Sequence, residues 1–269
     1  MSGAEPFLRW AGSKRWFVPQ FANDMLEQVR TCRYYIEPFL GGGAMALWLA
    51  SQGHASKMKL GDVEEELITA YSTLVSNPDG VLQLLRSLFE FGTSEEVYYQ
   101  VRGTSPETDE ESAARTIYLN RLCFNGLYRK NKSGEFNVPY GKKQKDLHED
   151  VLQAAAIALQ GATFVAGDFE LLTDWASQGD VIYADPPYDG GFVDYSSDSF
   201  LAGDQRRLAA SLRAARKRGA TVFAHNADTP LIREIYGWAE LLPIEEKRRI
   251  NSNGQDRGEV GCLFIVAGG

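Results

Sequence analysis

The sequence predicts an α/β fold: a mainly parallel sheet covered by helices, interrupted by a helical insertion. Three observations carry that expectation. Short β-rich runs alternate with helical patterns toward both ends of the chain, and a Gly-rich turn joins the first such pair. The stretch from about 79 to 122 keeps helical periodicity without a convincing strand. The 269 residues, 44% of them hydrophobic, suffice for one large domain or a domain carrying an insertion. Neither a repeat nor a low-complexity linker is found, so a second domain is expected inside the first.

The elements follow in order. "FLRWAGSKRWFVPQF" reads as an N-terminal arm with Trp10, Lys14 and an Ala-Gly-Ser connection. "RYYIEPFLGGGAMALWLASQG" reads as a strand, a Gly-rich loop at 41 to 43, and a helix ending near Gly53. "KMKLGDVEEELITAYSTLVSNP" gives a strand ending at Asp62 and a helix closed by Asn77-Pro78. After the helical stretch come strands at "ATFVAGDF" and "DVIYADPPY", a basic helix "GDQRRLAASLRAARKRGA", and strands at "TVFAHN", "AELLPIEEKR" and "EVGCLFIVA". The last pair is open to an antiparallel arrangement. Ligands of such sheets bind beyond the carboxyl ends of the strands, where Glu37 to Gly43, Asp62 and Asp185 to Tyr188 fall.

Composition excludes several classes. No apolar run reaches the ~18 residues of a membrane span, and "MSGAEPFLRW" has neither a basic leader nor an apolar signal region, so a cytoplasmic protein without membrane contact is expected. Cys32, Cys123 and Cys262 lack disulfide or zinc spacing and read as buried free thiols; His54, His148 and His225 read as surface or packing residues, and no metal is expected. The net charge of −8 disfavours a polyanionic partner on average, but charge is segregated. From Arg121 to Lys145 there are seven bases (Arg121, Arg129, Lys130, Lys132, Lys142, Lys143, Lys145) and one acid, Glu135, interleaved with aromatic, Asn and Gly residues. That pattern suits nucleic acid.

Gly41, Gly43 and Ala46 satisfy a loose G-x-G-x-x-A pattern, with Asp62 where a ribose-binding acid belongs. This geometry suits any adenosine cofactor. Folded over the loop, Lys14 can meet the carboxylate of an amino-acid-bearing cofactor and Trp10 can pack on its adenosine portion, which favours S-adenosylmethionine over a nicotinamide. In Asp185-Pro186-Pro187-Tyr188, a carboxylate and the carbonyl of Pro186 can accept both protons of an exocyclic amino group, aiming the nitrogen lone pair outward. The prolines stiffen the backbone and Tyr188 offers a face for a base to stack on, an arrangement suited to attack on a sulfonium methyl.

Together, "LRWAGSKRWF", "IEPFLGGGA", "GDVEEELITAY", "YLNRLCFNGLYRKNKSGEFNVPYGKK", "ADPPY" and "KRRINSNGQDRGEV" resemble the Dam-type DNA adenine-N6 methyltransferases, the α group of amino methyltransferases. The resemblance implies a Rossmann-like, S-adenosylmethionine-dependent fold over 1–62 and 151–269, with a target-recognition insertion at 63–150 carrying a β-hairpin. It places Trp10, Lys14, Glu37, Gly41, Asp62 and Asp185 at the cofactor, and Asp185, Pro186 and Tyr188 at a flipped adenine. Phe124 stands at an intercalating position; Asn125, Leu127 and Arg129 approach bases. Arg9 replaces a lysine that approaches guanine, an exchange compatible with bidentate readout. Lys130, Lys132, Lys142, Lys143 and Lys145 are expected at phosphates. The implied reaction is transfer from S-adenosylmethionine, leaving S-adenosylhomocysteine, to duplex DNA by a monomer, within a GATC-like site. The loop from Tyr188 to Phe200 is expected to order over the flipped base, and Lys247, Arg248 and Arg249 to approach DNA. The tetrapeptide alone also allows cytosine-N4 methylation. An RNA adenine methyltransferase and a non-catalytic DNA-binding module stay open, whereas no Cys follows Pro as cytosine-C5 methylation needs.

Overall fold

A computed structural model describes residues 4–10, 18–131, 133–142, 146–190, 200–244 and 261–268. In chain order its elements are α1 (Val18–Thr31), β1 (Tyr35–Glu37), α2 (Ala44–Leu49), β2 (Met58–Asp62), α3 (Glu65–Ser76), α4 (Pro78–Phe91), α5 (Glu95–Arg102), α6 (Asp109–Leu122), α7 (Glu149–Ala158), β3 (Thr163–Ala166), α8 (Glu170–Thr173), β4 (Val181–Ala184), α9 (Ala202–Lys217), β5 (Thr221–Ala227), α10 (Pro230–Ile235), β6 (Glu240–Ile244) and β7 (Cys262–Ala267). They fall into two compact units, one of Met1–Thr31 and Leu40–Asp168, the other of Cys32–Phe39 and Phe169–Gly269.

In the first unit β2 and β3 pair in parallel, with Asp62 opposite Ala166. The helical stretch expected from 79 to 122 is α4 to α6, and local sequence sets its breaks. Asn77 closes α3 and then caps α4, accepting from the Gly80 N–H at 3.1 Å, with Pro78 at the first helical position. Ser94 and Thr108 cap α5 and α6 in the same way. Helix α6 buries Ala113, Ala114, Ile117, Tyr118, Leu119 and Leu122, too many directions for a one-faced amphipathic helix, and packs on α3, α4 and α5. Three tyrosine hydroxyls stitch this bundle: Tyr98 to the Val138 carbonyl, Tyr118 to that of Gly92, and Tyr140 to that of Thr93. The helix starting at Ala44 gives way to a wide turn through Gly53 (φ 88°), where the sequence ends it.

The second unit holds the order β1-β4-β5-β7-β6. β1, β4 and β5 are parallel; β7 runs antiparallel to both β5 and β6, the arrangement left open for the last pair. Val181, Ile182, Tyr183 and Ala184 are all buried, as a strand covered on both faces requires. Arg33 donates twice to Asp180, at 2.9 and 2.7 Å, fixing the entry to β1 against the entry to β4.

The sequence reading does not anticipate α1, whose start lies inside the segment read as an arm, nor α7, α8 and α10. For α10 the signal was present: Thr229 caps it and Pro230 opens it. The unit boundaries lie at 31/32, 39/40 and 168/169. The three cysteines are buried and take part in no disulfide. No described helix is long and apolar enough to cross a membrane, and no group of three or more His, Cys, Asp or Glu among the described residues is arranged to hold a metal ion.

Candidate functional site

In the first unit the chain leaves Leu40, whose N–H donates to the Gly61 carbonyl at 2.8 Å, and turns through Gly41 (φ 47°) and Gly43 (φ 64°) into α2. These angles favour glycine, and so does the space. A Cβ on Gly41 would lie 2.8 Å from Cδ1 of Trp10, so the indole packs directly on the loop. Beneath, Asp62 receives the Gly41 N–H on Oδ2 at 2.9 Å and the Glu64 N–H on Oδ1 at 3.1 Å. The side chain is nearly buried, and desolvation pushes its pKa up to about 6 against the opposing pull of those two N–H groups. A buried carboxylate at the end of a strand, beside a close-approach glycine and a flat indole, fits the ribose and base of an adenosine cofactor. Lys14 lies outside the described residues. Glu37 belongs to the second unit, where it is buried and accepts the Tyr35 hydroxyl at 2.7 Å; burial, then Glu37, pushes the Tyr35 phenol well above its ordinary value.

Residues 123–141 of the same unit form a ribbon rather than full strands. Cys123 bridges Tyr140 and Lys130 bridges Phe136, and Asn131 closes the turn by accepting from the Ser133 and Glu135 N–H groups. Extended backbone sends alternate side chains opposite ways. Leu127 and Arg129 face out, Leu127 at 42% exposure beside Phe124 at 49% and the exposed Asn125. Arg129 donates to the Asn137 side chain at 2.8 Å. Tyr128 and Lys130 face in: the Tyr128 hydroxyl donates to Glu66, and Lys130 Nζ sits 2.8 Å from Glu64. Burial, then Glu66, pushes the Tyr128 phenol up. Tyr128 also stacks on Trp10, centroids 4.8 Å apart. Glu64, Glu66 and Trp10 thus hold the ribbon against the glycine-loop side of the unit.

Lys130, expected at a phosphate, has a competing partner within the chain. Its charge is already neutralised by Glu64 at the start of α3, and it lies on the inward side of the ribbon. Lys142 is exposed, whereas Lys132, Lys143 and Lys145 lie outside the described residues, as do Lys247, Arg248, Arg249 and most of the loop after Tyr188. Lys130→Ala is therefore expected to leave the slope of log K against log salt for DNA binding unchanged, while Lys142→Ala lowers it by about one; titrations at three salt concentrations decide.

Arg9 is anchored by its backbone to α6 and meets the ribbon with its side-chain stem. Asn120, 2% exposed on α6, accepts the Arg9 N–H and donates to the Arg9 carbonyl, both at 2.9 Å. The Arg9 stem then lies over Gly126, where a Cβ would come within 2.4 Å of Arg9 Cδ. Arg9 is thus brought to the ribbon at Gly126, between Asn125 and Leu127. Asn120 was missed, because an asparagine inside a helical pattern shows no sign of a partner 111 residues away.

In the second unit Asp185 and Tyr188 are half-buried and Pro186 is buried at the end of β4. Behind the tetrapeptide stand two fully buried amides. Gln205 donates to the Pro187 carbonyl at 2.8 Å and accepts from Asn226 Nδ2 at 2.9 Å. Asn226 Oδ1 accepts the N–H groups of Asp189 and Ala227, each at 2.9 Å, and the Thr229 hydroxyl donates to Asp189 at 2.6 Å. His225 is buried against Tyr183 and Phe264, a packing position.

Residues 10–250 match the family model described as D12 class N6 adenine-specific DNA methyltransferase. The chain is 33% identical over 274 residues to a protein named Type II methyltransferase M.MjaIII from Methanocaldococcus jannaschii, covering 94% of this chain and 95% of that one. It is 32% identical over 275 residues to a DNA adenine methylase of Haemophilus influenzae, covering 98% and 93% of the two chains. To the DNA adenine methylase of Escherichia coli K12 it is 33% identical over 269 residues, covering 97% and 94%. With a family match over most of its length and relatives this similar from end to end, the chain belongs to the D12 class N6 adenine-specific DNA methyltransferases, enzymes that use S-adenosylmethionine.

Proposed function

We propose that the protein methylates N6 of an adenine turned out of duplex DNA, within a GATC-like site, by direct transfer without a covalent enzyme intermediate. The observation that supports this most is the rigid Asp185-Pro186-Pro187-Tyr188 loop at the end of a fully buried strand. S-adenosylmethionine supplies the sulfonium methyl. Trp10, Lys14, Glu37, Gly41, Asp62 and Asp185 bind it. Asp185 and the Pro186 carbonyl accept the two amino protons of the adenine, and Tyr188 stacks on the base, offsetting part of the few kcal/mol that flipping costs. Arg9, Asn125, Leu127 and Arg129 read bases, and Phe124 enters the gap left in the stack. Lys132, Lys142 and Lys143 contact phosphates. Residues 63–150 act as the target-recognition insertion, and the protein works as a monomer in the cytoplasm. The names of the relatives agree with an adenine methylase and leave the recognition site unstated.

A tritiated-methyl assay tests this. One duplex carries a single GATC, a second has its adenine already N6-methylated, a third has an altered site, and an RNA is run alongside. Label in the first alone supports the reading. Label in all three duplexes removes the specificity assignment, and label in RNA alone replaces DNA as substrate.

The raised pKa of Asp62 has a consequence for the cofactor. Ribose hydroxyls donate to the ionised carboxylate, so binding draws the pKa down from about 6. Full affinity is therefore present above about pH 6 and is lost as pH falls through it, with a slope approaching tenfold per unit. The sign for folding is opposite: the folded protein holds the proton more tightly, so Asp62 weakens stability as pH rises from about 4 to about 6. Calorimetry with S-adenosylhomocysteine is expected to show this dependence, and Asp62→Asn to bind more weakly with a flat profile.

A further inference from the structure

We propose that Gln205 and Asn226 are positioning residues for the methyl-accepting site, holding the backbone on both sides of Tyr188 so that Asp185 and Pro186 meet the adenine amino group in register. The inference rests on the methyl-transfer reading above and extends it to residues with no place in that reading. Pro186 and Pro187 have no N–H, so this turn can be held only through its carbonyls and through the N–H groups that follow. The two amides meet that requirement. Gln205, on the first turn of α9, holds the Pro187 carbonyl at 2.8 Å, and Asn226, on β5, holds the Asp189 N–H at 2.9 Å. They are joined to each other at 2.9 Å, and the Thr229 hydroxyl secures the Asp189 side chain at 2.6 Å.

Burial gives the pair its significance. Both side chains are 0% exposed, in a place where two apolar residues would fill the space without any requirement for partners. A buried amide pair instead fixes direction: each donor and acceptor allows one backbone placement, and the placement chosen is that of Pro187 and Asp189. Direct transfer depends on that placement. A shift of about 1 Å in an acceptor of the amino group can cost on the order of a hundredfold in rate.

The experiment compares Gln205→Met and Gln205→Glu with the wild-type chain in single-turnover methyl transfer. Duplex and S-adenosylhomocysteine affinities are measured beside it, and base extrusion is followed by 2-aminopurine fluorescence. Gln205→Met keeps length and removes the donor; the expected result is a rate about twentyfold lower with both affinities and the fluorescence change held within about twofold. Gln205→Glu keeps the acceptor for Asn226. As a carboxylate it repels the Pro187 carbonyl, but protonated it donates to it, so the ratio of variant to wild-type rate is expected to rise from about pH 8 to about pH 6. A folded Gln205→Met with unchanged rate, or one whose rate loss is matched by lost affinity, overturns the proposal. So does a Gln205→Glu ratio that stays flat with pH, which decides the matter if the Met variant does not fold. A wild type that labels RNA instead of DNA overturns the DNA reading alone, and the same variants are then compared on RNA.

Discussion

Asp185→Ala is expected to lower single-turnover methyl transfer by about a thousandfold or more, while duplex affinity stays within about threefold. Two effects combine in that loss. Removing the carboxylate takes away an acceptor that withdraws the amino nitrogen's lone pair from the ring, and it takes away the fixed charge facing the proton that must leave. Preorganised groups of this kind are typically worth on the order of a hundredfold to a thousandfold each. Binding should survive because the residues assigned to bases and phosphates, Arg9, Asn125, Leu127, Arg129 and Lys142, belong to the first compact unit and Asp185 to the second. Asp185→Asn should fall between, since it keeps an acceptor and loses the charge. Rapid-quench measurement under saturating enzyme separates the chemical step from binding. An alanine variant that binds duplex poorly yet transfers at the wild-type rate once bound would make Asp185 a binding residue instead.

The sequence showed the parts of the site that lie in local patterns. Gly41, Gly43, Asp62 and Asp185 to Tyr188 stand at strand ends, where a change from β-rich runs to Gly or Pro marks them, and the structure finds each at such an end. What stayed hidden lies in contacts between residues distant along the chain. The basic run that holds Lys130 gives no sign of its ion pair with Glu64, 66 positions back. Asn120 and Gln205 sit within helical patterns where a polar residue is usually solvated, and only the assembled fold shows them buried and aimed at backbone. Helix α1 escaped notice because its first turn abuts the residues that invite a functional reading, Trp10 and Lys14. Partners, more than elements, were illegible, and the partners decide which polar residues position the chemistry.

Gly126→Val is expected to remove up to about a hundredfold of the discrimination between GATC and AATC, the worth of a bidentate arginine contact to guanine at about 1–3 kcal/mol. The effect is transmitted by space. At φ 64° the position favours glycine, and a Cβ there would sit 2.4 Å from Cδ and 2.5 Å from Cβ of Arg9. Arg9 cannot retreat as a whole, because Asn120 holds its N–H and its carbonyl at once. The guanidinium must therefore swing away from the base it is proposed to read, while the exposed Lys142 continues to meet phosphate and the salt dependence of binding stays as it was. The ratio of kcat/KM on the two duplexes measures the loss. Arg9→Ala should reproduce it, and Arg9→Ala with Gly126→Val should lose no more than either alone, since both act through one contact. Full discrimination in Arg9→Ala would move guanine recognition to Arg129. Equal weakening on every duplex in Gly126→Val would show instead that valine distorts the ribbon, because displacement of one reading side chain changes the ratio between sequences and distortion of the ribbon lowers them together.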